Sequence, residues 1–361
     1  MRHLKIYLPL VFLILSCSAQ GGEGTAAFDT HTVKEYSVFL STETSGFVGT
    51  PVRIKAAGGG LYFSDVGFRR IFKTDSGGDK LLSFGSQGRG PGEFESPTVF
   101  WVFDDNYLVY DYNGFKFITY DHQGELVEEK VVSNNPINPD GFPPNIPITV
   151  AAISPDELLI PSRGRDGSLF AIADIKTGDL KYAGNAIGEH VESFDSEEVD
   201  QAFSKGEIPA IFINMVALAG SSSGIYSFQQ TTGILEKYSR SGDPGWEKNL
   251  VIPEQHDLFD RVARRNRSLD RNTESHHLFN YAKAIDASEE GVAVMLNMPE
   301  EYPVTVAWVP KEGDRMDVVT IEGLDQEEIG FLGSFSVSPS DSKIYFLNIR
   351  QGLIYEADWP V

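Results

Sequence analysis

The glycine-rich stretch Gly85-Ser86-Gln87-Gly88-Arg89-Gly90-Pro91-Gly92 is a first candidate for chemistry, because bare backbone amides can cradle an anion. It lacks the Gly-Lys-Ser/Thr ending and following helix of a phosphate loop, and Pro91 removes a donor. A turn in which glycine supplies positive φ fits it better. The histidines beyond the first residues are His31, His122, His190, His256, His276 and His277. Only the last three share a segment, and they could hold zinc only if that segment folded back on itself. The acidic pairs Asp104-Asp105 and Asp156-Glu157 sit where Asp satisfies turn backbone. No EF-hand spacing occurs, and no Gly-x-Ser-x-Gly elbow that would present a serine nucleophile.

Cys17, the sole cysteine of the 361 residues, is the remaining reactive group. It ends the run Ile14-Leu15-Ser16-Cys17, after Arg2, Lys5 and an apolar stretch from Ile6 to Leu15. A charged start with a short apolar core is a signal peptide, and the stretch falls short of the roughly 20 residues that span a bilayer. Small or aliphatic residues before the cysteine resemble the bacterial lipobox, which implies that residues 1–16 are removed and Cys17 is acylated. Cleavage after Ala19, leaving a soluble protein, is the alternative. Ser18 is not the aspartate associated with inner-membrane retention, so outer-membrane anchoring is the expectation. With Cys17 taken by lipid, the folded part holds no disulfide and no thiolate metal site.

The formal charge is −22, and loss of Arg2 and Lys5 with the leader makes it −24. A field of this sign repels phosphate backbones, which excludes nucleic acid as a natural partner. The membrane is met through the lipid anchor only. A composition 41% hydrophobic and 12% aromatic is far from disorder and ample for a packed core.

What must position any site is a chain of short β-rich runs separated by Gly, Asp, Asn and Pro turns. Residues 17–30 read as a flexible tether rich in small residues, and residues 31–361 as one all-β domain. Internal repetition carries that reading. Gly60 to Asp65 followed by Arg69 to Asp75 parallels Asn106 to Asp111 followed by Phe115 to Asp121, and a glycine turn and another strand follow in each. Weaker copies begin at Ile148, Met215, Ala282 and Phe335. The last lacks one strand, while Val33 to Leu40 is strand-like and stands before the first full copy. The expectation is a six-bladed β-propeller in which Val33 to Leu40 pairs with Ile354 to Ala357 and closes the ring, removing an open edge. A repeat of roughly 40 to 45 residues would also fit seven times.

The stretch Gly85 to Phe94, followed by Pro97, resembles the junction between NHL-type propeller repeats, and Asp65 with Arg70-Ile71 and Asp111 with Asn113 resemble their strand-turn-strand part. The likeness is specific over Gly59 to Lys130. The whole chain is similar to exported bacterial six-bladed propeller lipoproteins of a TolB-like group, which implies fold and not activity. NHL-type amidating lyases hold zinc with histidines at the central channel, but no histidine here falls on an inferred innermost strand. Lactonase-like propellers hold calcium there, through convergent oxygens that a single sequence does not identify. No cofactor is therefore assigned, with calcium the one left open.

Three long connections between blades depart from the repeat, and strand parity puts them on one rim together with the turns between second and third strands. Ser133 to Ile148 is proline-rich, Glu189 to Glu207 is acidic with Ser196 as a helix N-cap, and Pro253 to Tyr281 is basic. Long loops on a rigid scaffold commonly carry recognition. The expected contact residues are Phe68, Arg69, Tyr112, Asn113, Arg163, Arg165, Gln229, Gln230, Arg350 and Gln351, with Arg264, Arg265 and Arg267 on the basic insertion. The structural alternative is that the acidic and basic insertions merely pair. These features point to an envelope module that binds a peptide, glycan or protein, with a lyase or hydrolase using channel-mouth carboxylates and a divalent metal as the rival.

Overall fold

The computed structural model describes residues 28–131, 150–269, 277–299, 301–325 and 334–361. The leader, Cys17 and most of the tether lie outside them, as do His276 and the whole proline-rich connection Ser133 to Ile148.

Each repeat folds as an antiparallel sheet whose strands lie side by side in chain order, and the six blades cover residues 51–84, 97–131, 151–183, 216–249, 282–325 and 334–358. The second strand of a blade is covered on both faces, so it reads as an almost unbroken apolar run rather than an alternating one. Gly60–Asp65, Gly224–Gln229 and Gly291–Leu296 are buried along their whole length. The fourth strands of blades 1 to 4 meet water, as the largely exposed Leu126–Val131 shows. Between blades 1 and 2 the core is aromatic: Phe84 stacks on Tyr107 at 4.9 Å, and Phe94 fits edge-on against Tyr120. Pro51–Ala57 forms the innermost strand of blade 1, an element the repeat did not mark.

Closure follows the expected pairing with one correction. Tyr36–Ser41 runs antiparallel to Leu353–Asp358 as the fourth strand of blade 6, with Ser41 opposite Leu353. Val33, however, ends a separate strand, Asp29–Val33, which runs parallel to the outer strand of blade 5 and widens that sheet to five strands. The chain steps from one blade to the next at Lys34-Glu35, because adjacent sheets are rotated and one straight strand cannot edge both.

The aspartates of the repeat are structural. Asp65 and Asp111 are completely buried at the ends of second strands. Asp65 accepts the amides of Gly49, Thr50 and Phe68, and Asp111 those of Glu95 and Ser96 at 2.8 and 2.6 Å. Each carboxylate thus ties down the chain arriving from the previous blade, with the strength of an ionised acceptor. Asp75, Asp121 and Asp174 close the turns between third and fourth strands, their carboxylates accepting the backbone amides of Asp79, Glu125 and Thr177 respectively. The Gly85 to Gly92 stretch is a connector between blades 1 and 2. Its glycine amides nearest the turn are occupied: Gly90 N–H donates to Glu93 and Gly92 N–H to Glu129, while the Gly92 carbonyl accepts the Tyr120 hydroxyl.

Among the described residues the insertions carry three α-helices: α1 (Ser196–Lys205), α2 (Ala210–Ile213) and α3 (Leu258–Arg267). The N-cap of α1 is Asp195 rather than Ser196; its carboxylate accepts from Glu197 N and Glu198 N, and an ionised cap also suits the helix dipole. α1 and α3 pack through apolar faces, with Phe203 stacked on Phe259 at 6.1 Å.

Candidate functional site

In every blade the turns between first and second strands, and between third and fourth, lie at one end of the sheet. We call this end the hairpin face. The turns between second and third strands and the connections to the next blade lie at the other end, the rim. Contacts agree with this parity. His190 Nδ1 donates to the Arg163 carbonyl at 3.0 Å, and Tyr281 N–H to the Gln230 carbonyl at 2.7 Å, so both described insertions rest on second-to-third turns.

A cavity of about 1130 Å³ occupies the centre of the ring. The first-to-second turns of all six blades line it, through Gly58, Asp104 and Asp105, Pro155, Ser222, Glu289 and Glu290, and Ser340. From the second-to-third turns only Tyr112 and Arg163 reach it among the described residues. The mouth therefore opens on the hairpin face, opposite the helices.

The deep wall is polar on one side and small on the other. Lys55 Nζ lies 2.6 Å from Asp286 Oδ1 and donates to the Ala287 carbonyl at 2.8 Å. The other Asp286 oxygen accepts from Ser336 Oγ at 2.7 Å and Val337 N–H at 3.0 Å. Ser336 Oγ in turn accepts from Ala56 N–H, and Ser334 Oγ from Ile54 N–H. First strands have no inner neighbour, so their channel-facing amides need side-chain partners; here blades 5, 6 and 1 supply them to one another. Arg53 lines the cavity beside this group, where burial draws its guanidinium pKa down and Asp286 opposes that shift. Across the ring, Ala152, Ala219 and Gly220 line the wall. A Cβ on Gly220 would press on Ile153 and the Ala152 carbonyl, so glycine lets blades 3 and 4 approach.

Blades 1 and 2 add an aromatic corner. The Tyr62 and Tyr107 hydroxyls are 3.1 Å apart, Lys73 Nζ sits 5.0 Å from the Tyr62 ring centroid, and burial pushes both phenols up. Trp101 lines the cavity at 8% exposure, and its indole Nε1 has no hydrogen-bond partner. No group of three or more His, Cys, Asp or Glu side chains among the described residues is arranged to hold a metal ion.

Of the residues expected from the sequence, Tyr112 and Arg163 line the cavity. Phe68, Asn113, Arg350 and Gln351 are exposed on the rim, and Arg69 and Arg165 half-buried there. Gln229 and Gln230 are buried, and the Gln229 side chain is engaged with Glu236 and Thr232. Arg264, Arg265 and Arg267 project from α3; Arg267 donates to the Phe203 carbonyl of α1 at 3.0 Å. Neighbouring Arg261 pairs with Asp257 and Glu301, not with acids of α1. Sequence reasoning missed Arg53, Lys55, Trp101 and Asp286. The available signal was a charged side chain on a strand flanked by buried ones, as in Val52-Arg53-Ile54-Lys55-Ala56 and Ala284-Ile285-Asp286-Ala287.

Residues 28–138 match the DUF5128 family model, described as a 6-bladed beta-propeller. Among solved structures the chain is similar to a Bacteroides fragilis protein described as a "Putative exported protein", at 14% identity and a TM-score of 0.52, covering 92% of this chain and 99% of that one. It is also similar to a member of the DUF4221 family from Bacteroides vulgatus, at 11% identity, TM-score 0.48, and 90% and 96% coverage. A streptogramin B lyase matches at 9% identity, TM-score 0.45, and 90% and 97% coverage. Likeness at such identity speaks to fold alone. No curated protein matches the chain. No helix among the described residues is long and apolar enough to cross a membrane.

Proposed function

We propose that this chain is a lipid-anchored envelope protein that binds a ligand, the end of a peptide or glycan or a protein loop, in its central cavity. The observation that supports this most is the cavity itself. Its volume of about 1130 Å³ lies just above the roughly 300–1,000 Å³ usual for ligand pockets. It converges residues from all six blades, with the Tyr62, Trp101 and Tyr107 side chains among them. Aromatic walls with a few fixed polar groups are the ordinary composition of such sites. The rim arginines offer a second surface, since Arg264 and Arg265 are exposed on α3 and guanidinium forks suit carboxylate or phosphate.

A capture experiment from envelope extract separates the two surfaces. Wild type is compared with a mouth variant, Ser222→Trp with Ser340→Trp, and a rim variant in which Arg264, Arg265 and Arg267 become glutamate. Loss of the captured partners in the mouth variant alone supports the cavity. Loss in the rim variant alone transfers recognition to α3, and partners unchanged in both sink the binding reading.

A further inference from the structure

We infer that the cavity mouth faces the membrane that anchors the chain, with the helix-bearing rim turned away from it; this rests on the acylation of Cys17 proposed above. The argument comes from strand direction. Asp29–Val33 runs parallel to the fourth strand of blade 5, with Asp29 opposite Asp317 where that strand begins. Asp29 N–H donates to the Met316 carbonyl at 3.2 Å, and the nearly buried Asp317 holds His31 Nε2 at 3.1 Å and Arg315 Nε at 3.3 Å. The register is thus fixed by side chains as well as by the ladder. The turn that ends at Met316 joins third and fourth strands and belongs to the hairpin face. Lys311 N–H in the same turn donates to the carbonyl of Glu290, a residue of the cavity mouth. The chain therefore leaves the propeller toward Cys17 from the face on which the cavity opens.

Length favours this exit. Eleven residue steps separate Cys17 from Phe28, a reach of at most about 40 Å. A seven-residue first strand such as Pro51–Ala57 sets the depth of a blade, roughly 23 Å at the usual rise. Turning the rim to the bilayer would spend more than half of the reach on passing the blade, whereas the hairpin face meets the bilayer at any extension. Charge then decides how close it comes. Asp104 and Asp105 of blade 2 and Glu289 and Glu290 of blade 5 flank the mouth, and anionic lipid repels them within a Debye length of about 8 Å. The face stands off rather than adsorbs, leaving a gap from which molecules presented at the bilayer surface reach the cavity.

The test uses the full acylated chain on anionic vesicles that carry an acceptor dye on the lipid headgroup. The sole native cysteine is consumed by lipid, so Asp105→Cys at the mouth and Asn113→Cys on the rim of the same blade each give a unique site for a donor dye. Ser340→Cys and Gln351→Cys form a second pair in blade 6. For labels about 20 Å apart along a blade, energy transfer from the mouth position should exceed that from the rim position at least about twofold in both pairs. Equal or reversed transfer from chains that float with the vesicles overturns the orientation alone. Chains that do not float overturn the anchor and the orientation with it.

Discussion

The link between Lys55 and Asp286 joins the first strand of blade 1 to that of blade 5 across blade 6, so it spans the place where the ring is sealed. Asp286→Ala removes the 2.6 Å ion pair and the acceptor for Ser336 Oγ and Val337 N–H. Breaking a buried pair costs about 3–5 kcal/mol. The side chains here are 23% and 12% exposed, and some of the loss is recovered by solvent, which leaves about 2–4 kcal/mol. At an unfolding entropy of about 2.1 cal/mol/K per residue, a propeller of this size should lose roughly 3–6 °C in thermal midpoint. Lys55→Met should cost less, because Asp286 retains its hydrogen bonds and its attraction to Arg53. The double variant should be more stable than the sum of the single losses implies, since removing both partners leaves no orphaned charge. A double-mutant cycle by thermal or denaturant unfolding measures the coupling, expected at about 1–3 kcal/mol. Coupling below about 0.5 kcal/mol, or a larger loss for Lys55→Met than for Asp286→Ala, would refute the closure role.

Replacing Tyr36–Ser41 with a Gly-Ser segment of equal length should lower the thermal midpoint more than the same replacement of Asp29–Val33. The first forms the fourth strand of blade 6 with Leu40 and Ser41 buried, while the second adds a fifth strand to a complete blade; equal midpoints would count against ring closure by the first. Gly85→Ala should destabilise far more than Gly59→Ala, although both glycines have positive φ. A Cβ at Gly85 would overlap the Phe94 ring and one at Gly59 meets nothing, so the second should show only backbone strain of about 1 kcal/mol, and similar losses in urea unfolding would contradict this packing.

Much of the fold was legible because a propeller repeats its instructions. Asp65 and Asp111, at matching places in two repeats, do the same backbone work, and the glycine turns recur because the chain reverses at the same points. The missing strand of the final repeat and the orphan run near Val33 together announced closure, since a sheet edge has to be covered. Pattern alone did not divide that run, because nothing local in Lys34-Glu35 reveals that the flanking strands edge two different blades.

By itself the sequence determined the all-β class, the spacing of the blades, the rim on which the insertions gather and the fact that Cys17 is the only thiol. Each follows from local alternation, turn chemistry or strand parity. Only the tertiary structure decided where the cavity opens and which side chains meet in it. Arg53, Lys55, Trp101 and Asp286 lie on three first strands separated by up to 233 residues of chain. Each blade contributes part of its first strand and the turn that follows, without a motif of its own. Their convergence is set by the ring and by the twist that brings each first strand to the axis, a geometry that exists only when all six blades are assembled.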